Sequence, residues 1–225
     1  SDETLLFAAL AFCQDGDEII HAQHGFEMYS IITKIVGATS KLVREDENYK
    51  VSISSILDKV YSANVYIDSY VVAEALKHSP NIVLGGRITD PGLVVGPCLY
   101  EFGWDNMDYN KIAAATVAGH ILECGAQCTG GNHTRWWEVD SFVDIGYPIV
   151  SISDNALFDI HKDPKSGGLI NKLTVTEQLL YEMGDPRRYL SPDVTVDFTS
   201  INLEDSNNKV SVSNVKGMPP TDTYK

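Results

Sequence analysis

Apolar positions along the chain fall into short blocks separated by turn residues, and the spacing inside each block predicts its element. Leu5 to Cys13 is apolar on nearly every side and predicts a buried helix closed by Gln14, Asp15 and Gly16. Phe26 to Val36 predicts a second helix ahead of Gly37. A charged connection, KLVREDENYK, then leads into an amphipathic stretch from Val51 to Val60. Ser69 to His78 carries a cap residue, good helix formers and a cationic end that suits the helix dipole, so a helix should stop at Ser79 and Pro80. Asn81 to Leu84 reads as a short buried strand between turn signals. Asp105 to Cys124 is the longest helical signal, with Asn106 or Asp108 as cap and Gly125 as stop. Tyr147 to Ile152 and Val194 to Phe198 predict strands, and Thr174 to Glu182 a helix. Lys209 to Val215 alternates as KVSVSNV, which suits a half-exposed strand.

These elements predict an α/β fold: a layered, mostly parallel sheet with flanking helices and a small C-terminal β hairpin or sheet. Residues 1–58 form an unassigned, mainly helical segment and residues 59–225 the α/β domain. The chain begins without methionine, which leaves open that the front of the domain lies outside it.

Candidate chemistry concentrates in two places. In NIVLGGRITDPG (residues 81–92), Gly85 and Gly86 let the backbone turn sharply, while Thr89, Asp90 and Pro91 supply a helix start with proline at its first position. A strand, loop and helix in this order point backbone N–H groups beyond the strand end, where open α/β sheets bind ligands. Arg87 has a planar fork suited to carboxylate or phosphate, although pairing with Asp90 would equally fix the loop. The glycines match neither a P-loop nor a dinucleotide fingerprint.

The second place is KIAAATVAGHILECGAQCTGGNH. At about 100° per residue, Thr116, His120, Glu123 and Gln127 fall within roughly a 60° sector of an otherwise apolar helix. His120 and Glu123 share a face, as an acid–base pair or two metal ligands would need; a buried hydrogen-bonded pair fits the same spacing. His133 follows in a glycine-rich loop as a further candidate. The candidate catalytic residues are therefore His120 and Glu123. The candidate substrate-binding residues are Gly85, Gly86, Arg87, Thr89 and Asp90, with Gln127, Thr129, Gly130, Gly131 and Asn132 from the helix end and its loop. No metal site is expected. Of Trp136 and Trp137, one can anchor the core while the other faces a pocket or a partner.

Bulk properties narrow the classes. A net charge of −14 repels a phosphate backbone and argues against nucleic acid or an anionic membrane as partner. No run approaches the ~20 apolar residues of a membrane helix, and the acidic opening is unlike a signal peptide, so a cytoplasmic setting is expected. Four cysteines, Cys13, Cys98, Cys124 and Cys128, are expected to be reduced and mostly buried.

SANVYIDSYVVAEAL, IVLGGRITDPGLVVGP, EFGWD, AAATVAGHILECGAQCTGG, IGYPIVSI, GGLINKLTVTEQLLYEMGDPRRYLSPDVTVDF and KGMPPTDTYK together resemble the acyclic terpene utilisation protein A (AtuA-like) family. The resemblance covers about residues 61–225; residues 1–60 lack the strand-rich, Gly-rich start expected of the family. It implies a cytosolic α/β domain linked to degradation of acyclic isoprenoids such as citronellol and geraniol, whose intermediates travel as coenzyme A thioesters. It transfers no catalytic residue.

Two functions follow as expectations. One is an enzyme performing hydration, dehydration or C–C cleavage on a branched acyl-CoA or carboxylate. Arg87 would hold the anion, the amides near Gly85 and Gly86 would polarise a carbonyl, and His120 with Glu123 would move protons. No cofactor is needed, coenzyme A being part of the substrate. The other is a non-catalytic subunit or binding module that docks through the tryptophans, as a homo-oligomer or on a pathway enzyme. A metal-dependent hydrolase built on His120, Glu123 and His133 is a third reading.

Overall fold

The chain divides into two units, Ser1–Ala63 and Asn64–Lys225, in a computed structural model that describes residues 6, 9–22, 28–43, 66–206 and 209–222. In the first unit, strand β1 (Glu18–Ala22), helix α1 (Met28–Ile35) and strand β2 (Thr39–Val43) follow one another. β1 and β2 pair in parallel, in register from Glu18↔Thr39 to Ala22↔Val43. Parallel neighbours need a long crossover, and the segment containing α1 supplies it before turning at Gly37, φ +74. Beside the helix expected near Phe26–Val36, the two short apolar runs around Ile19–Ile20 and Leu42 are strands that the helical reading did not include, because each finds the other as a partner. The Val51–Val60 prediction lies outside the described residues.

The second unit holds helices α2 (Tyr70–Leu76), α3 (Gly92–Phe102) and α4 (Tyr109–Leu122), strands β3 (Ile149–Ile152) and β4 (Phe158–His161), and helix α5 (Lys172–Leu180). Strands β5 (Tyr189–Leu190), β6 (Thr195–Asp197), β7 (Asn202–Ser206), β8 (Lys209–Ser213) and β9 (Lys216–Met218) complete it. One sheet has the order β3-β4-β8-β7 and a second β5-β6-β9. Every pairing in both is antiparallel.

The mixed α and β content stands, but the mostly parallel layer does not. The reason lies in the connections and the faces. β3 and β4 are joined by a short turn, and among the described residues of this unit no helix joins two parallel strands. Burial also alternates along β4 and β8, with Phe158, Ile160, Val210 and Val212 facing inward; that is the signature of a sheet packed on one face and wet on the other. The KVSVS alternation is the half-exposed strand expected there, and β8 pairs with both β4 and β7.

α4 is the centre of this unit. Every residue from Ile112 to Ile121 is buried. Its alanines and Gly119 let α3, α5, β3, β6 and β9 approach closely: a Cβ on Gly119 would stand 2.5 Å from Pro91 Cα. The N-terminus of α5 is closed by a capping box in which Asn171 Oδ1 accepts from the N–H groups of Leu173 and Thr174, both at 2.9 Å.

Asn81–Leu84 is not a strand. Among the described residues its backbone pairs with no strand, and its side chains face solvent, Ile82 at 83% and Leu84 at 95% exposure. Apolar residues alone do not make a strand without a ladder to join. The only pairing beside this loop, among the described residues, is the parallel bridge Ile67↔Ile88. α3 starts at Gly92, one residue later than expected, with Pro91 at the N-cap and no side-chain cap.

Candidate functional site

The C-terminal turn of α4 carries His120 into a cleft of about 140 Å³. The imidazole is 1% exposed, and its Nδ1 lies 2.9 Å from Glu123 Oε1. Helical spacing of three residues brings the two together. The His120 carbonyl accepts from Gln178 Nε2 at 3.2 Å, which ties this turn to α5. Tyr189, centroid 5.5 Å away, and Phe198, edge-on at 5.6 Å, pack on the ring and on each other, 4.9 Å apart. Neither ring nitrogen has an aligned hydrogen-bond partner among the described residues. A buried polar group in this condition calls for an explanation, and an open cleft beside it offers one.

Thr89 and Asp90 enter the cleft from the start of α3, Glu182 from the turn after α5, and Tyr189 from β5; Tyr66 also lines it. Burial pushes the Tyr189 phenol well above its ordinary range, and the nearby carboxylates Glu123, Asp90 and Glu182 push it further. Tyr189 therefore keeps its proton. Sequence reasoning missed Tyr66, Glu182 and Tyr189. They sit in segments read as connections or helix end, and the only local hint was the GDPRRYLSP turn that follows Glu182.

Arg87 does not line the cleft. Its Nη2 donates to the Tyr66 hydroxyl at 2.5 Å, its guanidinium lies 4.6 Å from the centre of the Tyr66 ring, and Nη2 is 3.7 Å from Asp90 Oδ1. The arginine thus contacts two lining residues, Tyr66 and Asp90. Gly85 and Gly86 are exposed in the loop before it and are not cleft residues either.

The remaining predicted residues form a separate structure. Thr116 turns its hydroxyl to its own helix, donating to the Ile112 carbonyl at 2.9 Å. Gln127 ends a short 3-10 turn, Gly125–Gln127. Thr129 is fully buried and donates to the carbonyls of Gly146, at 2.7 Å, and Ala126. Gly130, at φ +112, packs so closely on Val139 that a Cβ would stand 2.6 Å from it. Gly131 and Asn132 complete this turn, their N–H groups donating to the carbonyls of Ala126 and Gln127. None of these residues lines the cleft.

His133 is buried elsewhere, with Nδ1 2.7 Å from Glu177 Oε2 and Nε2 3.6 Å from Glu138 Oε2. Its two carboxylates lie at opposite ring nitrogens, so they do not converge on one point. Among the described residues no group of three or more His, Cys, Asp or Glu side chains could hold a metal ion. Trp136 and Trp137 are 63% and 65% exposed and meet edge to face at 6.0 Å. Neither anchors the core; the buried tryptophan is Trp104, whose Nε1–H donates to the Asp154 carbonyl at 2.9 Å. All four cysteines are free thiols, and no described helix is long and apolar enough to cross a membrane.

No solved structure matches the chain. Among curated proteins, histidinol-phosphate aminotransferase of Ruegeria pomeroyi is 45% identical over 60 residues, 27% of this chain and 16% of that protein. The enzyme of the same name from Roseobacter denitrificans is 41% identical over 69 residues, 30% of this chain and 19% of that protein. The chain spans less than a fifth of the length of these relatives. The model of the family described as acyclic terpene utilisation family protein AtuA matches residues 25–225, so the likeness read from residue 61 onward begins further forward, inside the first unit. With nearly the whole chain matched, this protein belongs to the acyclic terpene utilisation AtuA family.

Proposed function

We propose that this protein performs proton-transfer chemistry, of hydratase or lyase type, on the acyl end of an acyclic, branched coenzyme A thioester or the corresponding carboxylate. The observation that carries the reading is the buried His120 imidazole, with unaligned ring nitrogens, 2.9 Å from the Glu123 carboxylate at an open cleft. A carboxylate at that distance stabilises the imidazolium that forms when histidine takes a proton. In a hydration, the water oxygen bonds to Cβ of an α,β-unsaturated thioester while His120 removes one water proton. The proton then passes to Cα, so H and OH add across the double bond and the imidazole is regenerated. The family's description supplies the acyclic isoprenoid frame. The size of the cleft is consistent with it: 140 Å³ is about the volume of a cavity that holds one benzene-sized group, room for the reacting end of a substrate. Chemistry on coenzyme A thioesters belongs with a cytoplasmic setting and needs no resident cofactor.

The test is turnover of a short, branched 2-enoyl thioester by the purified protein. Wild type should consume it, and Glu123→Gln and His120→Asn should each lose about 10²–10⁴-fold in rate while keeping their far-ultraviolet spectrum. Full activity in both folded variants overturns the reading.

The exposed Trp136–Trp137 pair favours a second reading, a module that docks on a pathway enzyme or a second copy of the chain. Capture of a pathway enzyme that is abolished by Trp136→Ala with Trp137→Ala, together with no turnover by wild type, would support it over the first.

A further inference from the structure

The charge around the cleft narrows the substrate class. Three carboxylates line it, those of Asp90, Glu123 and Glu182, and among the described residues no lysine or arginine does. Arg87 is not a lining residue: its guanidinium stacks on the Tyr66 ring and lies 3.7 Å from Asp90, so its charge offsets only part of the lining's. An acidic lining by itself names no ligand. His120 does, because it is 1% exposed, has no aligned partner at either nitrogen and faces the same space. An imidazole can donate to or accept from a neutral carbonyl or hydroxyl without opposing the carboxylates around it.

Glu182 stands out among the lining residues for its backbone. Tyr181 ends α5 at φ −66, ψ 133, and Glu182 follows at φ +52. That sequence of angles follows a type II turn, whose second central position favours glycine. A glutamate there holds the chain in a conformation that a side chain opposes, and such strain collects at functional positions. We propose that the cleft selects by charge: it admits the uncharged thioester end of a substrate and turns away the free carboxylate, with Glu182 as the specificity-determining residue. The inference rests on the proton-transfer reading above and removes the carboxylate from its substrate class. Repelling the wrong ligand with a fixed like charge is a common route to specificity.

The experiment compares a matched pair by calorimetry: a saturated branched acyl pantetheine thioester and the free acid of the same chain. Pantetheine replaces coenzyme A so that nucleotide phosphates do not contribute charge. Wild type should bind the acid at least about tenfold more weakly than the thioester, and Glu182→Gln should bring the ratio of the two affinities close to one. Glu182→Gly should do the same, while raising the unfolding midpoint through relief of the turn. Equal affinities in wild type, or an unchanged ratio in Glu182→Gln, overturn the inference. If they occur while Glu123→Gln and His120→Asn abolish turnover, the proton-transfer reading stands alone; if neither ligand binds, both fall.

Discussion

Ser69 and Asp193, distant in sequence, meet through two hydrogen bonds: the Ser69 N–H donates to Asp193 Oδ1 at 2.8 Å and the Ser69 hydroxyl donates to Oδ2. Both residues are buried, at 0% and 1% exposure. The pair fixes the start of α2 to the connection between β5 and β6, beside the cleft wall at Pro192. Asp193→Ala leaves two buried donors without an acceptor and should cost about 2–4 kcal/mol, read from the urea midpoint. Asp193→Asn keeps one acceptor and should cost less. Burial raises the Asp193 pKa, with the Ser69 bonds opposing. A folded value above the unfolded one gives stability that is full below the unfolded pKa and is lost as pH rises through the folded pKa. The advantage of wild type over Asp193→Asn should therefore shrink from acid toward neutral pH.

Gly119→Ala separates local preference from packing. In an isolated helix alanine is favoured over glycine by about 1 kcal/mol. Here the added Cβ would meet Pro91 Cα at 2.5 Å and the Pro91 carbonyl oxygen at 2.6 Å, and rigid backbone cannot yield as a flexible side chain would. Overpacking should win, with a net loss of about 1–3 kcal/mol in urea unfolding. Because Pro91 lines the cleft and Gly119 precedes His120, ligand binding should weaken as well.

What the sequence revealed depended on how local each signal was. The apolar faces of α4 and the alternation in β8 are written within a few residues of where they act, and both were legible, whereas the Asn171 cap lies ahead of the Thr174 start expected for α5. Ser69 was legible as a helix start but not in its side-chain role, because its hydroxyl is committed to Asp193 rather than to its own helix. Asn81–Leu84 failed for the same reason in reverse: its apolar residues announce a strand, but pairing depends on a neighbour that local sequence does not specify. At the cleft, His120 and Glu123 announced themselves by spacing, and Thr89 and Asp90 by their turn. Glu182 and Tyr189 reach the same space only through the tertiary path of α5 and β5.

The His133–Glu177 pair should control acid stability around the tryptophan loop. Burial works against the Glu177 carboxylate, but the Thr134 side chain, His133 and the Thr134 N–H outweigh it and hold its pKa below the usual range. A depressed folded pKa gives stability that is present above the unfolded value and is lost as pH falls through the folded one. Glu177→Gln should therefore destabilise by about 1–2 kcal/mol at neutral pH, and its difference from wild type should close in acid. Tryptophan fluorescence can follow the same change, since Glu177 binds the chain just ahead of Trp136 and Trp137. A gap that widens in acid would mean that the carboxylate is not the favoured form.

The thiols of Cys98 and Cys128 give a direct check on the core around α4. Cys98 and Cys128 are 5% and 0% exposed, and burial pushes their pKa values to about 11 and about 12. A thiol is nucleophilic only as thiolate, so at neutral pH both burial and the absence of ionisation protect these two. Cys13 and Cys124 are partly exposed, and burial raises the Cys124 thiol as well. Alkylation of the native protein, with sites assigned by mass, should modify Cys98 and Cys128 far more slowly than in urea, where all four react alike. Cys124 directly follows Glu123, so its slower modification in the presence of a bound thioester would report occupancy of the cleft. Rapid labelling of Cys128 in native buffer would require the packing beneath the Thr129 turn to open, contrary to its complete burial here.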